Sequence, residues 1–143
     1  MIYTSDTEIE WIAKGVIECT LPKPDWTHAA HFAAAIWMLS EPDRDAFSEM
    51  PNLIRAYNEA TGVPNTDEDG YHETITFASL RAARHILINA PSGEALHQTL
   101  NRLLASAYGA PDWLLAYWSK DHLFSVQARR VWVEPNLAPL LFD

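Results

Sequence analysis

The chain has 143 residues, of which 48% are hydrophobic and 20% charged, so it is long enough to bury a core and too apolar to be disordered. Its formal net charge is −9 at pH 7, and it contains six tryptophans. Because nucleic acids and anionic membranes attract basic surfaces, this charge disfavours both as partners.

The first two helices are predicted from caps and breakers. Ser5, followed three residues later by Glu8, forms a capping-box pattern that predicts a helix start, and Pro22 ends that segment. A second helix follows, with Asp25 or Thr27 as its cap. Apolar residues lie on both of its sides, as expected for a central helix or for one at an oligomer interface.

The middle of the chain predicts two further helices separated by one loop. A Glu-Pro-Asp sequence at positions 41–43 suits the start of a third helix, which Pro51 is expected to kink or split and Gly62 to stop. Residues 63–70 are rich in Pro, Asn, Asp and Gly and predict a loop. The fourth helix is expected over residues 71–88.

The last third of the chain predicts shorter helices. We expect Ser92 to cap a fifth helix, residues 113–118 to form a short aromatic helix, and Ser125 to cap a last helix that ends near Trp132. The prolines beyond that point predict an extended, packed tail. No repeat, long linker or strand pair interrupts the pattern, so the sequence predicts an all-α fold, with residues 1–143 as a single-domain bundle of about five to seven helices.

The cellular compartment is predicted from cysteine content and from the N-terminal residues. Cys19 is the one cysteine, so no internal disulfide can form, which is compatible with a reducing compartment. The N-terminal residues lack the pattern of a signal peptide, and no apolar run reaches the roughly 18 residues of a transmembrane helix. We therefore expect a cytoplasmic protein.

Two histidines open the second helix, in the segment Trp26-Thr27-His28-Ala29-Ala30-His31. Residues three apart on a helix project roughly 60° from each other, so both rings can approach one point. The helix dipole at this end disfavours an imidazolium and keeps the rings neutral, as a metal ligand or a general base requires.

A second candidate segment, Gly70-Tyr71-His72-Glu73-Thr74, lies at the predicted start of the fourth helix. A site with three histidines and one carboxylate would suit zinc, iron, manganese or nickel, and water bound at an open position could become a nucleophile. We therefore take His28, His31 and His72 as candidate metal ligands and Glu73 as the candidate catalytic base or fourth ligand.

Three further residues complete the candidate pocket: Trp26 and Tyr71 would line it, and Asn58 could orient a bound group. An alternative interpretation stays open, in which the histidines are structural or form a polar pocket without a metal. Glu94 and His97 match the Glu-x-x-His spacing of di-iron bundles, but such sites need a second copy and two more glutamates, which we do not find.

Several segments are similar to those of a group of small uncharacterised bacterial helical proteins. The shared segments are WTHAAH at 26–31, YNEATG at 57–62, GYHETIT at 70–76, LFS at 123–125 and WVEP at 132–135. The resemblance implies a bacterial helical protein of this size and no particular activity. Because it includes both histidine-bearing segments, it favours a shared site over coincidence.

These observations lead to two hypotheses of function. The first is a metal-dependent enzyme, of hydrolytic type, with its site between the second and fourth helices. The alternative is a non-catalytic module that binds a small molecule or another protein. A further hypothesis is a homodimer whose interface buries Trp37 and the alanine face of the second helix.

Overall fold

The computed structural model describes residues 2–142, which form seven α-helices and no β-strand. The helices are α1 (Asp6–Ile17), α2 (His28–Ser40), α3 (Ala46–Ala60), α4 (Glu73–Ile88), α5 (Leu96–Ala105), α6 (Lys120–Leu123) and α7 (Val126–Arg130). Short 3-10 turns span Lys23–Asp25, Ala107–Gly109 and Trp113–Ala116. The prediction of an all-α fold is confirmed.

Side-chain caps begin three helices where the sequence predicts them. The hydroxyls of Ser5, Thr27 and Ser125 each accept a hydrogen bond from the backbone N–H three residues on, at 3.1–3.3 Å. Each bond satisfies a donor that has no partner within its own helix. Of the two caps proposed for α2, Thr27 is therefore the one that functions, and Asp25 lies in the preceding 3-10 turn.

The start of α3 differs from the prediction. The helix begins at Ala46, not at residues 41–43, because the Asp45 carboxylate accepts the Ser48 N–H at 3.2 Å and supplies the cap. Pro51 lies inside α3 without splitting it. The proline costs the helix one backbone hydrogen bond near its N-terminal end, and the packing of the apolar face outweighs that loss.

The start of α5 also lies further along the chain than predicted. Ser92 is exposed and does not cap the helix, since Gly93 adopts a left-handed conformation with φ +81° and turns the chain there. The helix begins at Leu96, and the Gln98 side chain accepts the backbone N–H of Ala95 at 3.0 Å. A left-handed residue cannot belong to a right-handed helix, so the helix must begin after it.

Helix α2 lies at the centre of the bundle and packs against α1, α3, α4 and α5. All residues from 32 to 38 are buried, as is Ala30. Alanines at positions 33–35 add little side-chain volume, so the helices on those sides can approach closely. The prediction that this helix is central is confirmed.

Trp37 belongs to this core, which is contrary to the homodimer hypothesis. Its exposed fraction is 7%, and the Arg44 guanidinium carbon lies 5.6 Å from the centre of its ring. Other parts of the same chain therefore cover the face that the hypothesis assigned to a second copy. A dimer interface through Trp37 would require the residues that cover this ring to move away from it.

The C-terminal segment closes the bundle over the start of α4. The Thr74 hydroxyl donates to the Val131 carbonyl at 2.9 Å and accepts the Val133 N–H at 3.2 Å. The Trp118 indole N–H donates to the Val133 carbonyl at 3.1 Å. These bonds hold the extended tail and keep residues 113–124 against the bundle.

No helix within residues 2–142 is long and apolar enough to cross a membrane.

The first prediction concerns the alanines of α2. Replacing the fully buried Ala33 by Leu should lower the free energy of unfolding by roughly 1–3 kcal/mol, because the added atoms must displace a packed helix. The measurement is urea unfolding followed by circular dichroism. Ala56→Leu, at an exposed position of α3, is the matched control and should change stability by less than about 0.5 kcal/mol. Equal effects of the two substitutions would contradict the central role of α2.

Candidate functional site

A cavity of about 460 Å³ lies where the first turn of α2, the middle of α4 and residues 111–124 meet, and we call it the histidine cavity. Most of its wall is apolar. It is lined by His28, His31, Phe32, Ile75, Ser79, Pro111, Asp112, Trp113, Leu114, Leu115, Leu123 and Phe124. The sequence prediction placed His28 and His31 near one point, and the structure brings both to this wall.

His28 is held by a distant part of the chain. Its Nε2 lies 2.8 Å from the Tyr108 carbonyl oxygen, and because a carbonyl can only accept, Nε2 carries the hydrogen. The ring meets Phe32 edge-on, with centroids 5.2 Å apart. This bond ties the first residue of α2 to the segment after α5 and closes one end of the histidine cavity.

His31 presents a free ring nitrogen. Its Nδ1 donates to the Thr27 carbonyl at 2.7 Å, and its ring stacks on Trp26 with centroids 3.6 Å apart. Although the residue keeps contact with solvent, the dense protein on its other sides disfavours the imidazolium and lowers the pKa of His31 to about 4, and the Thr27 bond opposes this only in part. The ring is therefore neutral at pH 7, and Nε2 can accept a proton or a hydrogen bond.

Trp113 lies in the same wall and contains an unpaired donor that is buried behind it. The residue is 6% exposed, and its Nε1–H is the one buried side-chain nitrogen or oxygen within residues 2–142 that has no hydrogen-bond partner. A buried indole N–H normally finds a partner, and leaving it unpaired costs about 1–3 kcal/mol. Because the nitrogen itself has no accessible surface, the indole would have to turn before a molecule in the cavity could reach it.

His72 does not line the histidine cavity but lies behind its wall. Its Nε2 donates to the Leu123 carbonyl at 2.8 Å, and its Nδ1 accepts the Ile75 N–H at 3.2 Å, so the ring caps α4. Both nitrogens are occupied, and only the neutral ring can make both bonds. Burial lowers the pKa of His72, and the nearby Arg129 adds to this, while the bond to Leu123 opposes it. His72 therefore positions Leu123 and is not free to bind a metal.

Glu73 and Tyr71 form a separate contact outside the histidine cavity. The Tyr71 hydroxyl donates to the Glu73 carboxylate at 2.6 Å, and the Arg55 guanidinium carbon lies 4.1 Å from the centre of the Tyr71 ring. Burial and the adjacent Glu73 carboxylate raise the pKa of Tyr71 well above its usual value. The proposed catalytic base is thus bound to a buried tyrosine and does not face the two histidines of α2.

Asn58 holds the loop before α4 and does not contact the histidine cavity. Its amide donates to the Asn65 side-chain oxygen at 3.0 Å, and that same oxygen accepts the Tyr71 N–H at 3.0 Å. Gly70 completes the turn with φ +81°, and a Cβ there would lie 2.6 Å from the Asn65 oxygen. The loop therefore requires glycine, and Asn58 has a structural role.

The predicted metal site does not form. Among residues 2–142, no three His, Cys, Asp or Glu side chains are grouped so that they could hold a metal ion. The reason is that His72 and Glu73 are already bonded to protein groups elsewhere. Glu94 and His97 also do not act as a pair of ligands. Glu94 binds Arg102 at 2.9 Å, and His97 binds Asp6 at 2.7 Å.

Three polar residues of the histidine cavity were absent from the sequence prediction: Ser79, Asp112 and Trp113. Ser79 follows Ile75 by four residues on α4, and this spacing places both on one face of the helix, so its place on the wall could have been anticipated. Asp112 and Trp113 follow a Gly-Ala-Pro break, which marks a loop but gives no information about its neighbours. Trp26 was expected to line the pocket, but its ring instead stacks on the ring of His31.

Comparison of the chain with protein families, with curated proteins and with solved structures found no match. The resemblance to small bacterial helical proteins therefore stays a prediction. The geometry of the site is the basis on which a function can be argued.

The second prediction concerns the titration of His72. Because its folded-state pKa is depressed, the unfolded chain binds more protons below the ordinary histidine pKa of about 6.5, and stability present above that pH is lost as the pH falls. His72→Asn keeps a capping side chain but removes this titration. We expect a loss of about 1–2 kcal/mol at pH 7 and a shallower fall of unfolding free energy between pH 7 and 5, measured by urea titration.

Ser5→Asn is the control for this experiment, because it also exchanges an N-cap for asparagine and removes no titratable group. It should shift stability by the same amount at every pH. A His72→Asn variant whose stability falls with pH as steeply as the wild type would contradict the assignment of His72 as a neutral cap.

The third prediction concerns metal content. Because His72 and Glu73 are not available as ligands, we expect untagged purified protein to contain no stoichiometric zinc, iron, manganese or nickel by elemental analysis. Its melting temperature should be unchanged by a chelator. One equivalent of metal that is lost in both His28→Ala and His31→Ala would refute this expectation.

Proposed function

We propose that the protein binds a small, neutral organic molecule in the histidine cavity. The observation that carries the proposal is the free Nε2 of His31, a residue that lines a largely apolar cavity. Ligand sites of proteins are typically mostly apolar cavities of about 300–1,000 Å³ with a few polar groups, and this cavity, at about 460 Å³, fits that description.

The polar groups indicate which functional groups the ligand carries. His31 Nε2 requires a donor because its Nδ1 holds the hydrogen. Ser79 can act in either direction. A molecule with an acceptor and a donor on an apolar or aromatic body, such as an aromatic amide or alcohol, would satisfy these groups.

The charge of the site supports a neutral ligand. No lysine or arginine lines the histidine cavity, and Asp112 lies on its wall. The whole chain carries a formal charge of −9. An anionic ligand would meet repulsion without a compensating partner, so a carboxylate of the same shape is expected to be excluded.

The fourth prediction tests this proposal with benzamide, which offers one acceptor and two N–H donors on an aromatic ring. Benzamide should raise the melting temperature in proportion to its concentration, because a ligand of the folded state shifts the unfolding equilibrium. Benzoate has the same shape but is charged and lacks the donor, and it should have no effect. The measurements are thermal unfolding and isothermal titration calorimetry.

Ser79→Leu should abolish the shift by filling the histidine cavity, while Ser48→Leu, at an exposed helical position of α3, should leave it intact. His31→Gln removes the ring but keeps a polar side chain, and it should weaken binding about three- to tenfold, the loss of one hydrogen bond. Stabilisation by benzamide that persists in Ser79→Leu would show that it binds elsewhere and would refute the assigned site.

A further inference from the structure

A second cavity, of about 550 Å³, lies between the residues before α1, the outer side of α1 and the 3-10 turn Lys23–Asp25. We call it the Trp11 cavity, and its wall includes Tyr3, Glu8, Trp11, Ile12, Pro24 and Asp25. It shares no lining residue with the histidine cavity. The two cavities therefore have independent chemistry.

Tyr3 lines the Trp11 cavity and carries an unpaired hydroxyl. The residue is 3% exposed, and its backbone is locked to α5 because Tyr3 N–H donates to the Asn101 side-chain oxygen at 2.9 Å and Asn101 donates back at 2.8 Å. Within residues 2–142 the hydroxyl has no hydrogen-bond partner, and it is not sealed in the core as the Trp113 nitrogen is. Burial and the nearby Glu8 carboxylate raise the pKa of the Tyr3 hydroxyl, so this group lies near Glu8, which lines the same cavity.

Trp11 presents an uncovered aromatic face. It is 57% exposed, and it is the one tryptophan of the described chain that is exposed. Elsewhere in the described chain, arginines lie over the rings of Trp37, Phe47, Tyr71 and Trp132. No lysine or arginine within residues 2–142 lies over Trp11 in this way, since Lys14, one turn on, pairs with Glu10 at 2.9 Å.

Two carboxylates give the Trp11 cavity a negative charge. Both Thr4 bonds to Glu8 reach Oε1, at 2.6 and 2.7 Å, and they lower the pKa of Glu8, so it is ionised and its Oε2 stays unpaired. Asp25 is exposed and makes no ion pair within the described residues. No lysine or arginine lines the cavity to neutralise them.

We propose that the Trp11 cavity binds an organic cation, an ammonium or guanidinium group carried on an apolar body. The cation would lie over the Trp11 ring, whose face attracts positive charge. Glu8 and Asp25 would balance its charge, and the Tyr3 oxygen would accept one of its N–H groups. Ile12 and Pro24 would contact the apolar body.

Calorimetric titration with 2-phenylethylammonium tests this proposal, with 2-phenylethanol as the neutral molecule of equal size. We expect the cation to bind about tenfold more tightly or better, and its affinity to fall as salt concentration rises, because both a ring and carboxylates attract it. Equal affinities for the two molecules, or no binding of the cation, would overturn the proposal.

Variants locate the binding site. Trp11→Ala should weaken binding of the cation about tenfold or more, and Asp25→Asn about two- to fivefold, whereas Glu59→Gln should have less than about a twofold effect. Glu59 is exposed on α3, makes no ion pair within the described residues and lies outside the Trp11 cavity, so it controls for overall charge. Trp11 and Asp25 are exposed, so both variants should fold. Unchanged affinity in Trp11→Ala would refute the site.

The cation could belong to a free amine or to a lysine side chain of another protein, and one comparison separates these sources. The probes are the acetylated, amidated tripeptides Gly-Lys-Gly and Gly-Gln-Gly. If the lysine peptide binds more tightly than 2-phenylethylammonium, the site takes a protein side chain, and if the order is reversed it takes a free amine. Both orders require that 2-phenylethylammonium binds, and no binding of this amine overturns the cation site whatever the peptides do.

Discussion

The fold depends on the complete burial of α2 along its middle. Because alanines occupy positions 33–35, four helices can pack against it, and no part of that stretch remains for a ligand or a second copy. What remains accessible is its first turn, where His28 and His31 lie. A helix end also offers what its middle does not: a dipole that keeps imidazole neutral and a capping residue whose carbonyl can orient a ring. The position of the histidine cavity therefore follows from the packing of α2.

The three candidate histidines make the same kind of hydrogen bond with one ring nitrogen and differ in what the other nitrogen contacts. Each donates one ring N–H to a backbone carbonyl, of Tyr108 for His28, Thr27 for His31 and Leu123 for His72. The difference lies in the second nitrogen. In His72 it caps α4, so the ring is fully occupied, whereas in His31 it has no partner among the described residues and is available to a ligand. This difference explains why three histidines that suggest a metal site do not form one.

The two cavities also differ in electrostatics, which is why we propose different ligands for them. Several arginines of this acidic chain are placed over aromatic rings, where they pack their planar groups and lose little hydration. The histidine cavity has no lysine or arginine in its wall and includes the neutral His31 ring, so it suits a molecule without net charge. The Trp11 cavity combines an uncovered ring with carboxylates, so it suits the kind of positive group that covers the other rings.

The sequence by itself determined the all-α class, the helix starts at Ser5, Thr27 and Ser125, and the common placement of His28 and His31, because caps and i, i+3 spacing act within one turn. It did not determine the contacts that assign each side chain its role. His28 bonds a carbonyl 80 residues away and His72 one 51 residues away, and the unpaired state of Trp113 depends on what packs around it. Only the tertiary structure could decide these, because whether a polar atom is free depends on partners that no local pattern specifies.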